Sequence, residues 1–327
     1  MRLSKRAWIA ASSAVAAGAA AVGVGVTGAP TGPAPAVRAG TVALAASSTP
    51  SGVVAKAALL ENGTTGKVLW SRLPDAKLTV GSITKVMTAL VVLKAGHLDR
   101  KITIKKAYLS RVTGQIDGSS AGLKVGDKIS VRELLYGLML PSGCDAAAAL
   151  ADTYGPGYSG FVKKMNAQAA KLGLKHTHYN NFDGLPFTPA GARWSDTNPP
   201  AWSTAREQVK LGRVAMTYAT FRTVVASRTH VLAKTSQHIA YSWATTNHLL
   251  GTYPGLVGIK TGHTDLAGYC LMFADKRSGK YLIGIVLNST NTSETTRFTD
   301  TTHILDWAFS TRTFVSMQAA AQGLPSD

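Results

Sequence analysis

Ser82 and Lys85 stand three residues apart in VGSITKVMTAL, Val80 to Leu90, a segment that is otherwise almost wholly apolar. On a helix that spacing puts a hydroxyl and an amine on one face, close enough to touch. Burying an unpaired ammonium is costly, so a lysine in this setting needs a reason. A serine hydroxyl is a poor nucleophile without a base. A lysine that burial and a neighbouring cation push towards the neutral form can be that base. Ser82 would also sit at the helix N-terminus, where outward-pointing N–H groups and the dipole favour developing negative charge. The pair alone is a weak signal, because a capping serine followed by an exposed lysine is common. It is the one Ser-x-x-Lys in the chain.

Two further groups bear on the same chemistry. Ser142-Gly143-Cys144 falls in a loop between two predicted helices, and Lys260-Thr261-Gly262 closes a predicted strand. Each by itself reads as a turn or a strand end.

The elements around them follow from pattern and turn chemistry. Two apolar runs flank Glu61-Asn62-Gly63-Thr64-Thr65-Gly66 and predict a β-hairpin. Ile83, Val86, Met87, Leu90 and Val91 recur at helical spacing, with Gly96 as the stop. Other apolar residues cover the opposite face, so this helix should be central and buried. Ser130-Val131-Arg132-Glu133 is a capping box ahead of LLYGLML, and Pro141 ends that helix. PGLVGIKTG, AGYCLMFAD and KYLIGIVLNS are strand-like, the last two joined by Lys276-Arg277-Ser278-Gly279. A closing helix is predicted over Thr299 to Phe309. Strands near both ends and helices between them predict an α+β fold: one antiparallel sheet built from both chain ends with flanking helices, plus an inserted, mainly helical lobe over roughly 84–220. The cleft between lobes is the natural site.

In this order and these settings, the three groups make the chain resemble the penicillin-recognising serine acyl-transferases. The resemblance is closest to the low-molecular-mass D-Ala-D-Ala peptidases and runs from about Val53 to Phe309, through GSITKVMTAL, LLYGLMLPSGCDAA, HTHYNNFDGL and GIKTGHT. The SGC form of the second motif resembles that of small secreted actinobacterial DD-transpeptidases in the family. It implies a β-lactamase/transpeptidase-like fold over 53–327. It implies Ser82 as the acylated nucleophile, Lys85 as its base and Ser142 as a proton relay to the leaving amine. Lys260 would hold the local field positive, keep Lys85 deprotonatable and attract the substrate's terminal carboxylate. Thr261 would hydrogen-bond the substrate's terminal carboxylate, and the N–H groups of Ser82 and His263 would form the oxyanion hole. Gly262 would let substrate backbone lie along the strand edge. Cys144 stands where the family usually has Asn, and two lysines beside it would lower its pKa and make it reactive. The partners implied are peptidoglycan stem peptides ending in D-Ala-D-Ala, with β-lactams as covalent inhibitors. No cofactor and no metal is implied.

Rival readings are weaker. A class A β-lactamase needs a glutamate some three dozen residues after the second motif, and the window near His178 has none. His176-Thr177-His178 lacks the companions of a zinc site. A Ser-His-Asp hydrolase wants G-x-S-x-G, which PGYSG does not match. A catalytically weakened wall-binding protein on the same scaffold stays open, with Cys144 as its best support.

The net charge of +18 suits an anionic partner. Nucleic acid is disfavoured, because Lys and Arg are dispersed, with no run beyond Lys105-Lys106 and no aromatic interleaving. An anionic cell-wall or membrane surface fits better. Arg2, Lys5 and Arg6, then the uncharged Ala7 to Val26, then Ala43-Leu44-Ala45 predict a signal peptide over 1–45, with a retained anchor as the alternative. The Pro/Ala/Gly/Ser-rich stretch after it continues as linker over 46–52. The chain is therefore expected to be exported. Export makes a Cys144–Cys270 disulfide possible, but two cysteines this far apart do not predict one.

Overall fold

The computed structural model describes residues 49–113, 118–187 and 201–321. The expected signal peptide and residues 46–48 of the linker lie outside them. The described residues belong to one unit that begins at Ala45, and no helix among them is long and apolar enough to cross a membrane.

β1 (Ala57–Asn62) and β2 (Val68–Arg72) form the predicted antiparallel hairpin. Asn62 shapes its turn, with Oδ1 accepting from the Thr64 and Thr65 N–H groups at 2.9 Å each. The short β3 (Leu78–Thr79) leads into a 3-10 turn, Gly81–Thr84, and then α1 (Lys85–Ala95), which stops at Gly96 in the left-handed region. β4 (Lys101–Thr103) and β5 (Lys128–Ser130) make a small ribbon before α2 (Val131–Met139). Half of the capping box forms: Ser130 Oγ accepts from the Glu133 N–H at 3.2 Å. The Glu133 carboxylate turns instead to His230, so the reciprocal bond is given up for a tertiary one. α3 (Cys144–Tyr154) and α4 (Gly157–Lys171) follow. β6 (Trp202–Ser203) pairs with β3, ahead of α5 (Ala205–Ala215) and α6 (Ala219–Val225). β7 (Thr229–Leu232) and β8 (Tyr241–Ala244) form a second ribbon that the pattern did not reveal.

β9 (Leu256–Gly262), β10 (Cys270–Arg277) and β11 (Lys280–Leu287) return the chain to the first hairpin. The main sheet runs β2-β1-β11-β10-β9, every pairing antiparallel, so both ends of the chain build it as expected. The last hairpin is tighter than the four-residue connection predicted. Arg277 still pairs with Lys280, leaving Ser278 and Gly279 as a two-residue turn, both at positive φ. α7 (Thr295–Ala321) starts four residues before the predicted Thr299.

Alternation divides the sheet's two faces. Leu59, Met272 and Ile285 join the large core with α1, α2, α3 and α5, while Leu60, Phe273 and Val286 pack with Ile304 and Leu305 of α7. α1 is buried from Lys85 to Leu93, as its all-round apolar pattern requires. Each buried Val or Leu there contributes ~1.5–3 kcal/mol, which fixes the frame on which Lys85 is carried.

Candidate active site

Close backbone contact assembles the site. β9 ends against the 3-10 turn that carries Ser82. A Cβ on Gly262 would lie 2.8 Å from the Val80 carbonyl oxygen and 3.0 Å from Ile83 Cγ1. A Cβ on Gly184, at φ +82°, would fall 1.9 Å from the Gly81 oxygen. These glycines let a strand end and a loop touch the nucleophile's turn from two sides. The missing side chain of Gly262 thus also serves packing against Ser82's turn.

Ser82 and Lys85 meet as their spacing predicts. Lys85 Nζ lies 2.8 Å from Ser82 Oγ and 2.9 Å from the Asp183 carbonyl oxygen, with the lysine wholly buried. Asp183 is itself held. Its carboxylate takes two bonds from the buried Arg111 guanidinium, from Nε at 2.8 Å and Nη2 at 3.0 Å. Asn181 Oδ1 accepts from the Gly184 N–H at 2.7 Å, and Thr88 of α1 donates to the Phe182 carbonyl at 2.6 Å. The block around Asn181-Phe182-Asp183 is thus a clamp that aims a carbonyl at Lys85. His178, in the same block, stacks on Trp202 at 4.9 Å.

A cavity of about 310 Å³ opens in front of Ser82, lined also by Ser142, Thr261, Gly262, His263, Glu294 and Arg297. Ser142 sits at φ +63°, rare for a residue with a Cβ. Its buried Oγ has no hydrogen-bond partner among the described residues. A buried, unpaired hydroxyl is a costly arrangement and suits a group whose partner arrives with substrate. Thr261 Oγ1 meets Thr246 Oγ1 at 2.5 Å and Lys260 Nζ at 3.5 Å. His263 stands at the rim, its ring stacked on Tyr269 at 4.1 Å. Burial and then Arg297 push its imidazole below the usual range.

Lys260 and Cys144 depart from expectation in how burial acts on them. Lys260 is 1% exposed. Burial first, then the closeness of Lys85 and of the Arg297 guanidinium, push its ammonium well below the usual lysine range. That direction works against the fixed cation expected. Cys144 opens α3 and is wholly buried. Burial outweighs Lys85 and pushes its thiol up to about 11, the opposite of the lowered pKa expected from two neighbouring lysines. Cys144 and Cys270 are both free thiols.

The D-alanyl-D-alanine carboxypeptidase family model matches residues 44–291. The chain belongs to this family. It is 44% identical over 261 residues to the D-alanyl-D-alanine carboxypeptidase of Streptomyces sp. strain K15, covering 76% of this chain and 84% of that one. It is 32% identical over 256 residues to D-alanyl-D-alanine carboxypeptidase DacF of Bacillus subtilis, covering 78% of this chain and 62% of the relative. The crystal structure of the Streptomyces K15 DD-transpeptidase superposes with a TM-score of 0.72 at 42% identity, over 80% of this chain and 99% of that one. The fold is that of the DD-transpeptidases and penicillin-binding proteins, as the motifs implied.

The structure brings in residues that the motifs did not single out. Arg297 is 5% exposed yet lines the cavity, its Nη1 donating to the Gly262 carbonyl at 3.4 Å. A signal for it exists. Arg297 shares the helical stripe of Thr301, Ile304 and Ala308, and a cation on a buried stripe is conspicuous. Starting the closing helix at Thr299 hid it. Thr246, Glu294 and Tyr269 are also on the cavity wall. Arg111, 72 residues from Asp183 in sequence, has no local signal at all.

Proposed function

We propose that this enzyme cleaves D-Ala-D-Ala-terminated stem peptides through an ester on Ser82, and that β-lactams trap it there. Ser82 Oγ attacks the carbonyl carbon between the two D-alanines while its proton passes to Lys85 Nζ, 2.8 Å away. The N–H groups of Ser82 and His263 receive the oxyanion. Ser142 Oγ gives a proton to the leaving amine and is reprotonated from Lys85. The C–N bond breaks, D-alanine departs, and the acyl group remains on Ser82. Water or an amine then attacks the ester, and its proton returns along the same route. A β-lactam offers its ring amide in place of the peptide. Its leaving amine stays tethered, so the ester persists.

The observation that carries this reading is a fully buried lysine bonded to a serine at a cavity wall, beside the unpaired hydroxyl of Ser142. The substrate's terminal carboxylate is assigned to Arg297 and the Thr261 hydroxyl. Arg297 lines the cavity and its Nη2 already holds a carboxylate oxygen, that of Glu294, at 3.0 Å, so the guanidinium is placed to take a carboxylate. Transfer to an amine is taken as favoured over hydrolysis, supported by the SGC motif and the likeness to a DD-transpeptidase. The enzyme would work outside the cytoplasm, its +18 charge facing anionic wall polymer or membrane lipid.

Fluorescent-penicillin labelling tests it. Ser82→Ala should abolish covalent labelling with a stability cost of ~1–3 kcal/mol from the hydrogen bond that the buried Lys85 loses. Undiminished labelling of that variant would overturn the mechanism. Products from a diacyl-Lys-D-Ala-D-Ala donor, with and without an amine acceptor, separate transfer from hydrolysis.

A further inference from the structure

The cavity holds a carboxylate of its own. Glu294 immediately precedes α7 and is the one acid among the described residues that line this cavity. That is notable in a chain with 35 Lys and Arg against 17 Asp and Glu. Its Oε2 accepts from Arg297 Nη2 at 3.0 Å. The two partners are unequally held. The Arg297 side chain is 6% exposed and the Glu294 side chain 50%. Arg297 is fixed by its bond to the Gly262 carbonyl and by packing at 5.1 Å from the Tyr269 ring and 4.8 Å from the Phe298 ring. Glu294 reaches it from the open side, where it can turn away into solvent at little cost.

A glutamate carboxylate on this guanidinium presents the chemistry a C-terminal carboxylate would present there. We infer that Glu294 is an internal competitor for the substrate's terminal carboxylate, occupying Arg297 in the empty cavity and returning to it after D-alanine leaves. This rests on the assignment of the carboxylate to Arg297. The competition acts twice. It weakens binding of the donor peptide, and it weakens retention of the released D-alanine, whose carboxylate must displace Glu294 again to attack the ester in reverse. An acceptor amine that carries no carboxylate beside it escapes the penalty.

The test measures acylation with diacyl-Lys-D-Ala-D-Ala and with its C-terminal carboxamide, in the wild type and in Glu294→Gln. Glutamine keeps the size and removes the charge. A half-exposed ion pair is worth ~0.2–1 kcal/mol. The preference for carboxylate over carboxamide should therefore rise about 1.4- to fivefold in the variant, through a lower KM for the carboxylate donor. Free D-alanine should become a better competing acceptor by a similar factor. Glu294→Ala should shift both readouts the same way, and Glu294→Asp should restore them in part. A preference that stays the same or falls in both neutral variants, while the wild type clearly prefers the carboxylate, overturns the role of Glu294 alone. A wild type that accepts both donors equally removes the assignment to Arg297, and the inference with it.

Discussion

The wall that meets the cavity and the layer behind it are built from different chemistry. Ser82, Ser142 and Thr261 put hydroxyls on the wall. Behind them Lys85, Lys260, Cys144 and the Arg111–Asp183 pair are sealed from water. Hydroxyls can form and break bonds with substrate without carrying charge into an empty cavity. Amines and ion pairs act most strongly where the effective dielectric is low. Separating the two keeps the proton-handling groups in a dry layer and leaves the reacting bond to meet neutral hydroxyls, with the charged Arg297 and Glu294 elsewhere on the same wall.

The largest effect should come from cutting the link between the two layers. Lys85→Met keeps the shape of a buried side chain and removes the amine 2.8 Å from Ser82. Acylation by penicillin should fall by ~10²–10⁴, the range for losing a general base, while thermal stability is kept or rises. Stopped-flow acylation and a melting curve measure both. Acylation within threefold of wild type would mean the dry layer does not supply the base.

Next comes the support beneath that layer. Arg111→Ala leaves the Asp183 carboxylate buried without its bidentate partner, which should destabilise the fold by ~3–5 kcal/mol. Because Asp183 also aims its carbonyl at Lys85, acylation should slow even at temperatures where the variant is folded. Denaturant unfolding checks the first claim. A destabilised variant that acylates normally would reduce the clamp to mere packing.

These two sites also mark what the sequence made legible. Ser82 and Lys85 were readable because helical spacing is local, and the main sheet because apolar alternation and the Ser278-Gly279 turn are local too. Arg111 and Asp183 were not, since nothing within a few residues of either announces the other. The motifs put Lys260 and Cys144 near Lys85, yet the charge balance expected from that proximity misjudged the effect of their burial. Motif proximity told which charges surround them. The degree of burial, which outweighs those charges in both, is a property of the packed core.

Lys260→Met addresses that misjudgement. Burial pushes the Lys260 ammonium well below its usual range, whereas an unfolded lysine titrates near ~10.4. Between those values the unfolded chain binds the extra proton, so wild-type stability climbs with pH over that window. Lys260→Met should therefore be more stable at neutral pH, by ~1–4 kcal/mol, with the gap closing as pH approaches ~10.4. Melting temperatures across that range decide it. A constant gap would mean Lys260 stays an ammonium and the field behind Thr261 is permanently positive.

The smallest effect concerns Cys144, where the family resemblance implies an Asn. At pH 8 a thiol pushed up to about 11 is ionised in only about one molecule in a thousand, and this one is wholly buried. Iodoacetamide should leave Cys144 unmodified in folded, active enzyme and label it once the chain is unfolded, as read by peptide mass spectrometry. An adduct formed in the folded state would mean the layer opens to solvent. Cys144→Asn asks what the thiol withholds. An amide supplies a carbonyl acceptor and two N–H donors, where a thiol is a weak donor and weak acceptor. One good bond to a charged or developing-charge group is worth ~1.5–3 kcal/mol. Part of that gain goes to fitting a larger side chain into a site where Sγ already leaves little room beside Gly118, whose Cβ would lie 3.1 Å from it. The net expectation is acylation faster by about tenfold. An unchanged rate would mean Cys144 fills space behind Lys85, and that the hydroxyl wall alone sets the speed of this enzyme.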